Sequence, residues 1–356
     1  MKIRLVILLV LVFVVLLALI QFSGTKGHLR VVAIPSSETK YFYYAVEGNI
    51  ALRIGNIIGY EIGYEYATYC VFSETLVFFD DLKNIWRVQI GGNPQKIFDS
   101  GSSMPSSLSW SGDCSHIAFL SHDKRETPQV YLMDADGGNI NQITTDDFYK
   151  TIVALAPDGK KLAYATSYGE KTITTIVDLV TQKEQAQLLD GITMYALRWS
   201  PDGTKIAVSY YSPIDNLTIW VLRTDNLETV LKRNCADNPV WSPDSESIAY
   251  VDYCDHNGEI YVTQIDSGTP RKLTDSYHMK SQLMWVDHHI IVVSYAMVGE
   301  ASTTWQIDEV NEDGSDPKVL ASYEGQHQTS IFRQFYDEGV RQVQKLFPTP
   351  TPGSTP

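Results

Sequence analysis

Trp199-Ser-Pro-Asp-Gly-Thr-Lys-Ile-Ala-Val-Ser-Tyr210 joins two apolar runs through a turn in which each residue has a local role. Pro201 fixes φ, Asp202 can bond the backbone beside it, and Gly203 accepts positive φ. The flanking runs, Leu197–Trp199 and Lys205–Tyr210, are rich in strand formers. Asn216–Leu222 and Glu228–Lys232 supply a third and a fourth strand after the turn at Thr224-Asp-Asn226. The phrase returns as Trp110-Ser-Gly-Asp113, Leu155-Ala-Pro-Asp158-Gly159, Trp241-Ser-Pro-Asp244 and Trp285-Val-Asp287, at intervals of about 42–45 residues. Fainter copies stand at Phe72-Ser73-Glu74 and Ala33-Ile-Pro35. A four-stranded meander cannot cover both of its faces alone, so stacking such units in a ring is the expected outcome. The chain reads as an all-β protein, a β-propeller of four-stranded antiparallel blades over residues 29–325. The seven anchors from Ala33 to Trp285 give seven blades; six is the alternative, because the first copy lacks the Pro-Asp pair and a leading aromatic.

The two ends depart from this grammar. Lys2 and Arg4 precede an uncharged stretch from Leu5 to Thr25, long enough as a helix, at ~31 Å, to cross a bilayer core. Residues 1–25 are expected to form a retained signal anchor or a cleaved signal peptide. The slight excess of positive charge before the stretch places the propeller outside the cytoplasm. Residues 326–347 carry Ile331, Phe332, Phe335, Val340, Val343 and Phe347 near helical spacing, read as a short helix on the ring or a closing strand. Residues 348–356 form a Pro/Thr-rich tail that is expected to be extended and solvated.

Cysteine positions bear on the compartment. If the hairpin after Trp241 turns about the Asp244–Ser245 bond, antiparallel partners have residue numbers summing to 489. Cys235 and Cys254 meet that condition, so they are the disulfide candidate, with two free thiols as the alternative. Such a bridge fits an exported domain. Cys70 and Cys114 show no comparable register and are expected to be unpaired core residues.

Composition excludes some functions. With 28 Lys+Arg against 42 Asp+Glu the net charge is −14, and no basic run occurs, which argues against a nucleic-acid partner. There is no His-Glu-x-x-His, phosphate loop, Cys-x-x-Cys or Gly-x-Ser-x-Gly, so no catalytic, metal or cofactor site is assigned. Asp134-Ala-Asp136-Gly137 resembles the opening of a calcium loop but lacks its later ligands, and reads as a hairpin turn. Asp287-His288-His289 falls in a turn where adjacent side chains point apart. One periodic feature remains. Aligning the second strands brings His122, Ser167, Tyr211, Tyr253 and Tyr295 to one position of each blade, and hence to one face of the ring. Tyrosine offers contact area with a polar tip, so His122, Tyr211, Tyr253 and Tyr295 are the candidate partner-binding residues. The competing reading packs these rings between blades.

Trp199-Ser-Pro-Asp-Gly-Thr-Lys-Ile-Ala and Trp241-Ser-Pro-Asp-Ser-Glu-Ser-Ile-Ala resemble the WD40-like repeats of the TolB propeller family, most strongly from 105 to 275. The resemblance implies a propeller of the bacterial cell envelope that binds a protein or peptide partner without catalysis and without a cofactor. The chain departs from the family in carrying a membrane segment where TolB has a small α/β domain. Similar repeats also occur in peptidase propellers that gate a separate hydrolase domain. The alternative function is a propeller enzyme of the lactonase, lyase or glycosidase type acting in the central channel. Against that alternative, the inner strands read at 105–110, 151–155 and 236–241 hold a single acid, Asp237. A monomer is expected, with the membrane engaged only through residues 5–25.

Overall fold

The computed structural model describes residues 30–37, 40–47, 50–53, 67–70 and most of 73–326, with side chains for much of the span from Cys70 to Val319. The expected membrane segment, the C-terminal helix and the Pro/Thr tail lie outside the described residues. The described residues form 27 strands, every pairing antiparallel. They make six four-stranded sheets and one of three strands, each neighbouring its sequence neighbours. In chain order the sheets span residues 30–53 (sheet 1), 67–98 (sheet 2), 106–142 (sheet 3), 149–189 (sheet 4), 193–234 (sheet 5), 236–272 (sheet 6) and 279–326 (sheet 7).

The core is divided into layers between successive sheets. One cluster joins Ala163, Ala165 and Ile176 of sheet 4 to Leu197, Ile206, Val208 and Tyr210 of sheet 5. Similar clusters fill the gaps between sheets 2 and 3, 3 and 4, 5 and 6, and 6 and 7. This explains a pattern that simple strand alternation does not predict. Second strands are covered on both faces, so both members of Ile117-Ala118, Leu162-Ala163, Ile206-Ala207 and Ile248-Ala249 are fully buried. The alanines let the next sheet approach closely.

First strands lie against first strands, and the repeat's leading tryptophan ties them together. Trp199 Nε1 donates to the Ala154 carbonyl at 3.1 Å, and Trp241 Nε1 to the Arg198 carbonyl at 3.0 Å. One junction earlier, serines do the same work: Leu155 N donates to Ser109 Oγ at 2.9 Å and Val153 N to Ser107 Oγ at 3.1 Å. Each such bond contributes about 1 kcal/mol net and fixes the height of one sheet on the next.

The Ser-Pro-Asp-Gly phrase is a closed hydrogen-bonded turn. Ser200 Oγ donates to Asp202 Oδ1 at 2.6 Å and accepts from Lys205 N at 2.9 Å, while Thr204 N donates to Asp202 Oδ1 at 3.0 Å. Ser242 and Asp244 repeat this pattern with Ser247 and Glu246. So do Ser111 and Asp113 with His116 and Ser115. The Ser242 hydroxyl and the Glu246 N–H hold the Asp244 carboxyl below its ordinary range. At Asp202, burial pushes upward but is outweighed by the bonds from Ser200 and Thr204, leaving that group lowered too. Asp134–Gly138 is likewise a hairpin turn, closed by Gly137 N to Asp134 O at 2.9 Å. Gly137 has φ of +90°, and a Cβ there would lie 2.3 Å from the Ile97 carbonyl of the preceding sheet. Only glycine fits both conditions.

The cysteines require a correction. Cys70 and Cys114, expected to be unpaired, form a disulfide with Cα atoms 5.8 Å apart. Cys70 ends the first strand of sheet 2 and Cys114 lies in the turn after the first strand of sheet 3, so the bridge crosses between sheets. A register argument confined to one hairpin cannot see it. Cys235 and Cys254 also form a disulfide, with Cα atoms 5.2 Å apart. The register that led to them holds only next to the turn. Trp241 pairs with Ile248, but a bulge after Asp237 shifts the ladder by one, so Ala236 pairs with Asp252. Cys235 then faces Tyr253, whose N–H donates to the Cys235 carbonyl at 2.6 Å, and the bridge closes diagonally.

Candidate aromatic binding face

The sheets have two ends. The Ser-Pro-Asp-Gly turns lie at one, and the hairpins between second and third strands lie at the other. At the hairpin end of sheets 4 and 5 the chain places Phe148, Tyr149, Tyr168, Tyr195 and Tyr211, each between 39% and 56% exposed. Tyr149 pairs with Ser167, Tyr168 closes the second strand of sheet 4 opposite Lys171, and Tyr211 pairs with Thr193 in sheet 5. Tyr195 is the extra residue of a bulge between Met194 and Ala196. Bulges recur at this point in the first strands of sheets 3 to 7. A bulge re-aims its side chain, and in sheet 5 the side chain it frees is aromatic. The Phe148 and Tyr168 rings meet at 5.4 Å between centroids in a tilted contact.

The loop carrying Phe148 and Tyr149 is held from beneath. Lys150 is buried; its ammonium pairs with Asp146, donates to the Phe148 carbonyl at 2.9 Å and lies 5.8 Å above the Tyr164 ring. Gln129, buried in sheet 3, donates to the Asp146 carbonyl at 2.7 Å. Arg125 reaches over from the hairpin of sheet 3. It bonds Asp123 at 2.6 and 2.8 Å and the Thr145 carbonyl at 2.8 Å, and it pairs with Asp147. Arg125 in turn holds the Asp123 carboxyl below its ordinary range. Arg125, Asp146, Asp147 and Lys150 are thus used in fixing the loop that presents Phe148 and Tyr149. Preorganisation of this kind lowers the ordering cost of binding.

The residues aligned from the sequence occupy equivalent backbone positions with unequal surroundings. His122 is half-buried opposite Pro128. Tyr211 is exposed near the hairpin end of its strand, while its neighbour Tyr210 is buried against Trp220. Tyr253 is half-buried against the cluster between sheets 6 and 7, and its hydroxyl lies 3.5 Å from the Lys280 carbonyl of the next sheet. Tyr295 pairs through its backbone with Met279 and Trp305, and its side chain lies outside the described residues. Alignment on the second strand missed Phe148, Tyr149, Tyr168 and Tyr195. Two of them lead into first strands, one sits in a bulge, and Tyr168 falls one residue past the aligned Ser167.

The opposite end offers a cleft of about 330 Å³ between the turns of sheets 5 and 6, lined by Asp202, Lys205, Asp244, Glu246 and Asp266. Two of these carboxylates are the acceptors that close their own turns. Among the described residues no group of three or more His, Cys, Asp or Glu side chains is arranged to hold a metal ion. His288 and His289 diverge, the first to Glu312 at 3.1 Å and the second to Glu309 at 3.4 Å. Asp237 bonds Ser209, and burial raises its pKa.

No family model matches the chain. It is TolB-like: a TolB homologue of Chlorobium luteolum is 23% identical over 161 residues, 44% of this chain and 36% of that protein. The chain therefore matches only about a third of this relative's length. Among solved structures, the oligogalacturonate lyase of Vibrio parahaemolyticus superposes with a TM-score of 0.55 at 12% identity, covering 82% of this chain and 85% of the lyase. The β-propeller domain of Cps50 (Swd1) from Myceliophthora thermophila gives 0.51 at 9% identity, covering 74% and 87%. At these identities the two structures establish the fold alone.

Proposed function

We propose that this chain is a noncatalytic, extracytoplasmic seven-bladed propeller, anchored or exported through residues 5–25, which binds a protein or peptide on its aromatic face. The observation that carries the reading is the set of five exposed rings on sheets 4 and 5, two of them on a loop fixed by Arg125, Lys150 and Gln129. Tyrosine-rich surfaces with polar tips suit protein recognition. The seven sheets support the blade number, with the first represented by three strands among the described residues. Two disulfides support an oxidising compartment. Of the four residues chosen from the sequence, this reading assigns Tyr211 to the binding face and His122 to its flank; Tyr253 packs between sheets, and the Tyr295 side chain lies outside the described residues.

A second reading rests on Asp237. A buried carboxyl with a raised pKa on a first strand is the kind of group a channel enzyme employs, and a lyase shares the fold. The experiment compares the full chain with its Y149A/Y168A/Y211A variant for saturable capture of proteins from envelope extract, with thermal unfolding as control. Capture lost by the variant at an unchanged melting temperature supports the binding face. Equal capture by both overturns it. Oligosaccharide cleavage that Asp237→Asn abolishes moves the assignment to the enzyme class.

A further inference from the structure

In sheets 2 to 7 the fourth strand forms the outer edge. An open edge offers a row of N–H and C=O groups to any extended chain, and proteins blunt such edges by shortness, bulges, proline or charge. In sheet 3 the edge strand is Asn141–Gln142, two residues, and in sheet 6 it is Pro270–Lys272 with Arg271 between. The edges of sheets 2, 5 and 7 each have a break in register and carry Lys96, then Lys232 and Arg233, then Lys318 and Glu324. Sheet 4 differs. Its edge strand, Glu184–Leu189, pairs over six consecutive positions without a shift, and its single charge stands at its start.

The direction of the free backbone groups follows from the hairpin before this strand. Asp178 N donates to the Lys183 carbonyl at 2.9 Å, and Leu179 N donates to the Lys160 carbonyl of the second strand at 2.8 Å. Even-numbered residues of the third strand therefore bond the fourth, where their partners are Gln185, Gln187 and Leu189. The N–H and C=O groups of Glu184, Ala186 and Leu188 point away from the sheet. Among the described residues no fifth strand meets them. The Leu188 carbonyl accepts from the Gln187 side-chain amide at 3.2 Å, a bond that an incoming N–H would replace. The side chains of these three residues share the face turned toward sheet 3: Ala186 pairs with Thr175, and Thr175 with Tyr164 of the cluster between sheets 3 and 4. The short edge strand of sheet 3 leaves them uncovered. Ala186 is exposed, and Leu188 is 46% exposed beside Ile173.

Two kinds of occupant fit an open edge. A second copy would set six residues against six, a strip about 20 Å by 10 Å and roughly 400 Å² over both partners, against the ~1,200 Å² of stable interfaces. Each copy also carries a net charge of −14. A peptide segment draws affinity from main-chain hydrogen bonds and specificity from alternate side chains, and the acidic chain favours one without acidic residues.

We infer that Glu184–Leu189 takes an extended, non-acidic peptide segment of a partner as an antiparallel fifth strand, with apolar side chains opposite Ala186 and Leu188. This edge is separate from the aromatic face and does not depend on it. The probe is the fluorescein-labelled peptide Lys-Thr-Val-Thr-Val-Thr-Val-Thr-Lys, read by anisotropy against the full chain, and saturable binding is expected. Residues opposite Ala186 and Leu188 share their face and aim their own N–H groups at the edge. N-methylation of the valines should therefore abolish binding, and N-methylation of the threonines should leave it in place. Ala186→Pro removes an outward N–H without touching the ladder and should weaken binding about tenfold at an unchanged melting temperature. Ala186→Val keeps the N–H and should bind as the wild type does. If Ala186→Pro fails to fold, the two methylated peptides on the wild type still decide. Absence of saturable binding overturns the inference, as does binding that survives methylation of the valines or a folded Ala186→Pro that binds equally well. A concentration-dependent dimer lost in Ala186→Pro overturns it too, and gives the edge to a second copy.

Discussion

Replacing Cys70 and Cys114 by alanine should loosen the molecule at one specific junction. The bridge closes a loop with a sequence separation of 44, against 19 for Cys235–Cys254. In the chain-entropy treatment the first corresponds to about 4 kcal/mol of stabilisation and the second to about 3 kcal/mol. The difference in topology matters more. Cys235 and Cys254 join strands of one hairpin that already pair along a ladder. Cys70 and Cys114 join two sheets that otherwise share side-chain packing among Val77, Phe79, Leu108, Trp110 and Phe119. Both cysteines are buried, so alanine replaces the sulfur without introducing a polar atom. Urea unfolding of C70A/C114A should lose about 4 kcal/mol relative to the wild type, and C235A/C254A about 3 kcal/mol. Native-state hydrogen exchange should show the amides of Thr75–Phe79 and Ile85–Gln89 becoming much faster in C70A/C114A while the second strands of sheets 4 and 5 stay protected. A stability loss under about 1 kcal/mol, or exchange rising equally in all sheets, would refute the claim that this bridge clamps sheet 2 to sheet 3.

Two further outcomes follow from buried polar groups. Burial, reinforced by Glu184, raises the Tyr164 phenol from 10.0 to about 12. A folded pKa above the unfolded one means that the associated stability is intact below pH 10 and is lost as the pH climbs toward 12. Tyr164→Phe should remove one late-titrating phenolate from the ultraviolet titration and flatten the loss of stability across that window. Glu259 and Lys280 form a buried ion pair at 3.4 Å between sheets 6 and 7, and burial lowers the lysine pKa. Glu259→Ala removes the carboxylate paired with this buried ammonium and should cost about 3–5 kcal/mol by urea unfolding, whereas the double variant E259Q/K280M should recover most of that loss. Gln129 and Lys150 hold the corresponding places three repeats earlier, where the amide bonds a carbonyl and the lysine finds Asp146 instead.

The repeat was legible because each of its residues acts locally. Ser200, Asp202 and Gly203 close a turn whatever the rest of the chain does, and the aspartate of that turn recurs at every first-to-second strand junction from sheet 3 to sheet 6, as Asp113, Asp158, Asp202 and Asp244. The aromatic face was legible only in part. Tyr211 could be found by aligning second strands, but the exposed position of Tyr195 depends on a bulge, and that of Phe148 and Tyr149 on a loop held by residues of two sheets.

Sequence alone determined what depends on near neighbours: the strands, the turns and the repeat period. The tertiary structure decided what depends on how one sheet lies on the next. It paired Cys70 with Cys114, turned Tyr253 from a surface ring into a packing one, and gathered five aromatics from two sheets at one end. These outcomes are set by the stacking offset between sheets. That offset is fixed by many weak contacts, such as those of Trp199, Trp241 and Ser109 with the strand beside them, and no single stretch of the chain encodes it.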